Sequence, residues 1–328
     1  MPGHSGTTDE STNVAIACQG GGSHTAFTAG VLETLLQECD WQAEYDLVGI
    51  SGTSGGAFNA LATWYGLVSG DADTAAGLLG DIWEDLSATG SGDRLLNAWL
   101  TGLAQFEASG LPVPTVSPYQ IPGQELGKER IREVLETHIE FEAVPDMCKR
   151  DAPDLVVGTV NINAGVFETF VNEGVTVEAV LASAAVPGTF RAVEIDTHLH
   201  WDGQFSQNPP IDDLMQQPPA RKPDELWVIQ INPQKLDGEP TSVEEIADRR
   251  NELAGNLSLN QELRSIRRVN HWVETGKLPE GEFSVTEIHR IEMGERFRST
   301  TKVDRNPRFV EQLIDLGRRR GREFLAAR

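Results

Sequence analysis

Apolar and polar positions near the start of the chain fall into two copies of one plan. Val14 to Cys18 is a short apolar run that leads into Gln19-Gly20-Gly21-Gly22. From Ala26 to Gln37 the residues Phe27, Val31, Leu32, Leu35 and Leu36 then recur on one side of a helix. Leu47 to Ile50 is apolar again, Ser51 to Gly56 is a turn of small residues, and Ala57 to Val68 has helical character. Two strand–turn–helix units in succession predict a parallel sheet with helices on its faces. Further strands are expected at Leu155 to Asn161, Val166 to Val171 and Leu226 to Ile231, the last bounded by Pro223 and Pro233. Helices are expected at Lys128 to Ile139, Val177 to Ser183, Val243 to Val273 with interruptions, and Arg308 to Leu325. The fold class is α/β, with a largely parallel central sheet.

The 328 residues read as a flexible N-terminal arm, 1–13, followed by one domain, 14–328. The arm is polar and lacks the basic end and apolar run of a secretion signal, so a cytoplasmic location is expected. No apolar stretch approaches the ~20 residues of a membrane-spanning helix. Residues from about 69 to 127 are rich in Gly, Ala and Asp, end in the proline-dense loop Leu111 to Gly123, and look like an inserted cover segment. Within them Leu95, Leu96, Trp99, Leu100, Leu103 and Phe106 fall at helical spacing. Two readings of that stripe stay open: core, or an active-site cover that meets lipid or polymer. Residues 225–328 supply C-terminal strands and helices.

Charge narrows the function classes. Fifty acidic residues against 27 basic ones give −23, and only six of the basic ones are lysines. The acid is dispersed along the chain, which suits a surface that stays hydrated in molar salt, so a halophilic host is expected. Nucleic acid is excluded as a partner, because such binding draws on basic residues meeting phosphates. Cys18, Cys39 and Cys148 form no framework and have no metal-ligand spacing, so reduced, structural thiols are expected.

The second turn carries the clearest chemistry. Gly49-Ile50-Ser51-Gly52-Thr53 misses Gly-x-Ser-x-Gly at its last position, whereas Gly52-Thr53-Ser54-Gly55-Gly56 satisfies it. Ser54 is the candidate nucleophile: a serine on a sharp strand-to-helix turn is exposed to substrate, and the following helix favours negative charge at its N-terminus. The first turn, Gly20-Gly21-Gly22-Ser23-His24, offers successive backbone N–H groups that can hold an oxyanion or a phosphate. The phosphate reading fails in detail. No Lys-Ser/Thr follows as in Walker A, Thr25 stands where the dinucleotide pattern needs its third glycine, and Ser51 stands where that pattern needs an acid.

Much later come Ala182-Ser183-Ala184-Ala185-Val186-Pro187-Gly188 and Trp201-Asp202-Gly203. In this order, from about Val14 to Pro210, these motifs resemble those of the patatin-like phospholipase family. The resemblance implies a three-layer α/β/α fold and a Ser-Asp dyad that works without histidine. It also implies Ser54 as nucleophile, Asp202 as general base, and Gly20, Gly21 and Gly22 as oxyanion donors. No cofactor and no metal is implied. The substrate implied is a phospholipid, a glyceride or an intracellular polyester, met at a granule or membrane surface. The chain departs from the family in having His24 and Thr25 where arginine and glycine are common, and Gln204 after Asp-Gly. His24 assists the oxyanion or packs at the helix start. His198 and His200 read as strand residues just before Asp202.

Two competing readings are weighed against this one. An α/β-hydrolase triad needs a histidine, and His271 or His289 fills that order. Its elbow, however, follows several elements, whereas here the two turns end the first and second strands. A non-catalytic lipid- or granule-binding protein of the same fold would have no use for both Ser54 and Asp202.

Overall fold

In the computed structural model, residues 11–41, 43–90, 93–94, 97–98, 101–102, 117–120, 125–279 and 282–328 are described. Strand β1 (Thr12–Cys18) divides its side chains by the period of two: Val14, Ile16 and Cys18 enter one apolar core, Ala15 and Ala17 the other. Both faces are buried because helices cover both, which is why its sequence reads as an apolar run rather than an alternation. The same holds for β2 (Tyr45–Thr53), β3 (Asp154–Asn161) and β7 (Glu225–Gln230). With β4 (Val166–Val171), β5 (Val193–Ile195), β6 (His198–Asp202) and β8 (Glu287–Glu292), they form an eight-stranded sheet among the described residues. Its order is β5-β6-β3-β2-β1-β7-β8, with β4 also on β3. The run from β3 to β8 is parallel, and β4, β5 and β6 enter as antiparallel pairings.

One face of the sheet is covered by α1 (Ala26–Glu38), α2 (Gly55–Ser69), α3 (Ala72–Leu86) and, at the C-terminus, α7 (Pro307–Ala326). Between them and the sheet lie Phe27, Leu32, Leu61, Trp64, Leu79, Trp227 and Leu313. Fully burying side chains of this kind contributes about 1.5–3 kcal/mol each before chain entropy is subtracted. The other face is covered by α6 (Val243–Glu274), which sets Leu259, Leu263 and Ile266 against Ala15, Ala17, Val48 and Val228. The architecture is three-layer α/β/α. Helix α4 (Glu125–His138) packs against α3 and against the short α5 (Val177–Ser183), which lies on β3.

Several elements differ from the sequence expectation. Residues 72–86, expected to open an inserted cover, are helix α3 and bury Leu79, Ile82 and Trp83 in the main core. Helix α6 runs unbroken where interruptions were expected, and a capping box starts it: Ser242 Oγ accepts the Glu245 N–H and the Glu245 carboxylate accepts the Ser242 N–H. Strand β8, Glu-Ile-His-Arg-Ile-Glu, is too charged to read as a strand in isolation, yet its backbone pairs with β7. Thr12 and Asn13, assigned to the arm, already belong to β1. The apolar stripe from Leu95 to Phe106 lies outside the described residues, as do residues 1–10 of the arm. Among the described residues no helix is long and apolar enough to cross a membrane.

Candidate active site

The sheet itself juxtaposes the two residues singled out as nucleophile and base. Strand β4 takes one edge of β3 from Val156 to Asn161, so β2 and β6 must share the other edge. Strand β2 runs parallel to β3 and ends with Thr53 opposite Gly158. Strand β6 runs the opposite way and ends with Asp202 opposite Thr159, the next residue along. The two strands thus point at each other end to end, and the residues at their tips, Ser54 and Asp202, meet.

Ser54 has φ 55° and ψ −130°, a backbone conformation that L-residues rarely adopt, and it stands directly before α2. The turn closes because its neighbours lack Cβ atoms. A Cβ on Gly52 would lie 2.3 Å from the Gly56 carbonyl oxygen, and one on Gly56 would lie 2.3 Å from that of Cys18. The Ser54 N–H donates to Ser183 Oγ at 2.8 Å, and Ser183 Oγ in turn donates to the Gly158 carbonyl at 2.7 Å. Ser54 is therefore tied to β3 through its backbone, which leaves its hydroxyl uncommitted to that tie.

Asp202 is fully buried. Its Oδ1 accepts the Gln204 N–H at 2.8 Å, and its own N–H donates to the Ala185 carbonyl at 3.0 Å. Oδ2 is buried without a well-formed hydrogen bond, although the Ser54 hydroxyl lies close enough to favour the ionised carboxyl. Burial pushes the Asp202 pKa up to about 7, against smaller opposing effects of the Gln204 N–H, the Ser54 hydroxyl and the Lys302 charge. A carboxyl poised near neutrality beside a serine hydroxyl can take and return a proton in the same pH range.

The histidines lie elsewhere. His289, on β8, sits three strands from β2, roughly 14 Å at about 4.8 Å per strand. It faces Glu225 and Glu287. His271 is exposed on α6, fifteen residues beyond Asn256, which the side chain of Gln19 before the first glycine turn contacts, and so roughly 22 Å farther along the helix. His200 is buried with its Nε2 3.0 Å from the Glu168 carboxylate, and the exposed His198 places Nδ1 3.2 Å from the Asp196 carbonyl. Glu225, Glu287 and His289 form an acidic group with one histidine, but Glu225 also pairs with Arg328.

The first glycine turn lies against the second. Gly20 faces the Thr53 carbonyl and the Ser54 side chain so closely that a Cβ there would lie 2.3 Å from the former and 3.1 Å from the latter. Its N–H is engaged: it donates to Asn208 Oδ1 at 2.6 Å, while Asn208 Nδ2 donates back to the Gly20 carbonyl at 3.3 Å. Gly20, expected as an oxyanion donor, instead anchors the turn, because its N–H already has a partner. Among the described residues the N–H groups of Gly21 and Gly22 have no acceptor within the chain. Gly22 has φ 57° and packs on the Lys302 carbonyl, so no side chain fits there.

His24 is buried and packs against Phe297 and Phe309. Its Nε2 lies 2.7 Å from Thr301 Oγ1, which gives its own hydrogen to the Arg298 carbonyl at 2.8 Å, so Nε2 carries the donor hydrogen. Burial, helped by the Lys302 charge, pushes its pKa down to about 3, and the ring stays neutral. This contact set matches the packing role at the helix start.

Three polar residues complete the site without having been singled out. Ser183 sits within the quoted Ala182–Gly188 motif, and its spacing to Ser54 carries no signal. Asn208 opens Asn208-Pro209-Pro210, whose Asn-Pro step reads only as a turn. Gln19 accepts the N–H groups of Ile231 and Asn232 at 2.9 Å each and donates to Gly255 and Asn256, which joins the first turn to β7 and α6.

Residues 16–215 match the sequence model of the patatin-like phospholipase family. No curated protein sequence matches the chain. The crystal structure of VipD from Legionella pneumophila is similar at a TM-score of 0.43 and 15% identity, over 93% of this chain and 67% of that one. ExoU of the type III secretion system of Pseudomonas aeruginosa, crystallised with SpcU, is similar at 0.33 and 12%, over 95% and 53%. A second crystal structure of the type III effector ExoU gives 0.38 and 13%, over 94% and 51%. The chain thus spans about two thirds of VipD and about half of ExoU. These likenesses are distant, and the family assignment rests on the sequence match.

Proposed function

We propose that this chain, which belongs to the patatin-like phospholipase family, is a lipid acyl hydrolase that works through a Ser54–Asp202 dyad with Gly21 and Gly22 as oxyanion donors. The observation that carries the reading is the head-on meeting of β2 and β6 along one edge of β3, with Ser54 and Asp202 at their tips. Asp202 takes the Ser54 proton as Oγ attacks the ester carbonyl carbon. The tetrahedral oxyanion accepts hydrogen bonds from the two free N–H groups, with the N-terminus of α2 favouring the same charge. Collapse breaks the ester bond, and the leaving alkoxide takes the proton from Asp202 as an alcohol. Water then gives its proton to Asp202 while its oxygen attacks the acyl carbon, and the acid departs as Ser54 recovers its proton.

The substrate is a phospholipid, a glyceride or an intracellular polyester. A net charge of −23 opposes an anionic bilayer at low salt, which favours neutral esters or a polyester granule. The test is hydrolysis of short nitrophenyl esters, phosphatidylcholine, triglyceride and amorphous polyhydroxybutyrate in molar salt, with Ser54→Ala as control. Turnover of at least one ester that vanishes in the variant supports the reading. Turnover that survives Ser54→Ala overturns it.

A further inference from the structure

The family match ends at residue 215, yet the turn Ser299–Val303 packs directly on the glycine turn Gly22–Thr25. It brings one of the chain's six lysines to the candidate site. The Lys302 carbonyl abuts Gly22, its side-chain stem lies 3.7 Å from where a Cβ on Gly21 would sit, and its charge reaches both Asp202 and His24.

A lysine kept for structure alone usually pairs with a carboxylate. Lys302 does not: its half-buried ammonium donates to two neutral amides, Asn232 Oδ1 at 2.9 Å and Asn251 Oδ1 at 2.5 Å. The carboxylates nearby are already occupied. Glu252 is paired with Arg249 at 3.0 Å and with Arg296 at 2.7 Å, and Asp248 accepts both the N–H and the hydroxyl of Ser299. Among the described residues Lys302 makes no ion pair, so its charge is held beside the glycine turn without a contacting counter-ion.

We propose that Lys302 is a positioning residue of the acyl-transfer site, whose ammonium, held beside the Gly21–Gly22 turn, lends that turn positive potential and favours the charged form of Asp202. This rests on the Ser54–Asp202 reading and extends it to a residue outside the family-matched segment. Against burial, three groups favour the charge of Asp202: the Gln204 N–H, the Ser54 hydroxyl and, through space, Lys302. Burial disfavours the charge of Lys302, and the charges of Glu252, Asp202 and Asp248 favour it through space, while His24 beside it is neutral. Burial wins and brings its pKa down to about 8. The lysine therefore loses its charge just above the pH at which Asp202 gains its own.

The test is the pH profile of kcat/KM on a soluble nitrophenyl ester for the wild type, Lys302→Met and Lys302→Arg, with fold checked by circular dichroism. In the wild type the rate rises through about pH 7 and falls above about pH 8. Lys302→Met should move the acid limb up by about one pH unit, roughly a tenfold loss at pH 6, and abolish the alkaline fall. Lys302→Arg should keep the acid limb and extend the plateau upward, since guanidinium stays charged. A uniform loss at every pH, with both limb midpoints unchanged in Lys302→Met, overturns the proposal and leaves Lys302 a packing residue. The same coupling is read without turnover by carbon NMR of the Asp202 carboxyl in Ser54→Ala with and without Lys302→Met. An unchanged Asp202 midpoint there overturns it too, whereas absent esterase activity with a shifted midpoint speaks against the hydrolase reading alone.

Discussion

The two glycine turns start from the same sequence plan and end with opposite assignments of their backbone N–H groups. In the second turn, Ser54 takes a positive φ and gives its N–H to Ser183, so the turn commits its backbone and presents a side chain. In the first, the Gly20 N–H is tied to Asn208, and the N–H groups of Gly21 and Gly22 have no acceptor among the described residues. The difference is one of support. The second turn is held by β3 through Ser183 and Gly158, while the first is held by Asn208, Gln19 and the 299–303 turn. One turn therefore presents a nucleophile and the other a cradle, and the contact between Gly20 and Ser54 sets them side by side.

The sharpest test of this contrast is the side chain of the second turn. Ser54→Ala should lower kcat by several orders of magnitude, on the order of 10⁴ or more, and abolish labelling by a fluorophosphonate. Ser51→Ala, three residues earlier on β2, should change activity less than twofold, since its hydroxyl is buried without a partner and its loss removes an unmet hydrogen bond. Labelling at any serine other than Ser54, read by peptide mass spectrometry, reverses the assignment.

Asp202→Asn should lower kcat by about 10² or more while preserving the size of the side chain. Its effect on stability runs the other way. The folded pKa of about 7 lies above the unfolded value near 3.9, so between the two the native state binds more protons than the unfolded chain. Stability linked to this group is intact below about pH 4 and is lost as pH rises through about 7, by roughly 4 kcal/mol at about 1.4 kcal/mol per pKa unit. The asparagine variant should thus denature at higher urea than wild type at pH 8 and lose that advantage at pH 4. A variant no more stable at pH 8 would show that Asp202 is not held near neutrality.

In the first turn, Gly21→Ala should keep both the fold and its N–H, because its Cβ would meet Ile231 at an ordinary 3.5 Å, and should lower kcat only as far as the methyl group takes space from the substrate. Gly22→Val, in contrast, should unfold the turn, since φ is 57° and a Cβ would lie 2.2 Å from the Lys302 carbonyl. Full activity in Gly21→Ala, read as kcat on a nitrophenyl ester, shows that the methyl group lies outside the space the substrate uses. The smallest effect concerns the whole surface: at −23, melting temperature should rise by several degrees from low salt to molar KCl as repulsion is screened. A flat or falling curve removes the halophilic reading.

Read as a linear string, the chain determined the elements whose signals are local. The apolar runs of β1, β2, β3 and β7 and the small residues of the elbow are legible because burial on both faces and a tight turn each restrict residue type at contiguous positions. Ser54 and Asp202 were legible only as motifs. What brings them together is strand direction along β3, a property of pairing with one segment about a hundred residues before it and another about forty residues after it. The same is true of Asn208 on Gly20, Ser183 on Ser54, and Lys302 behind the glycine turn. Each is an ordinary polar residue in an unremarkable local pattern, and its role exists only through a partner distant in the chain. Strand β8 was illegible for the related reason that an edge strand needs only backbone pairing with β7, which its charged side chains neither require nor reveal.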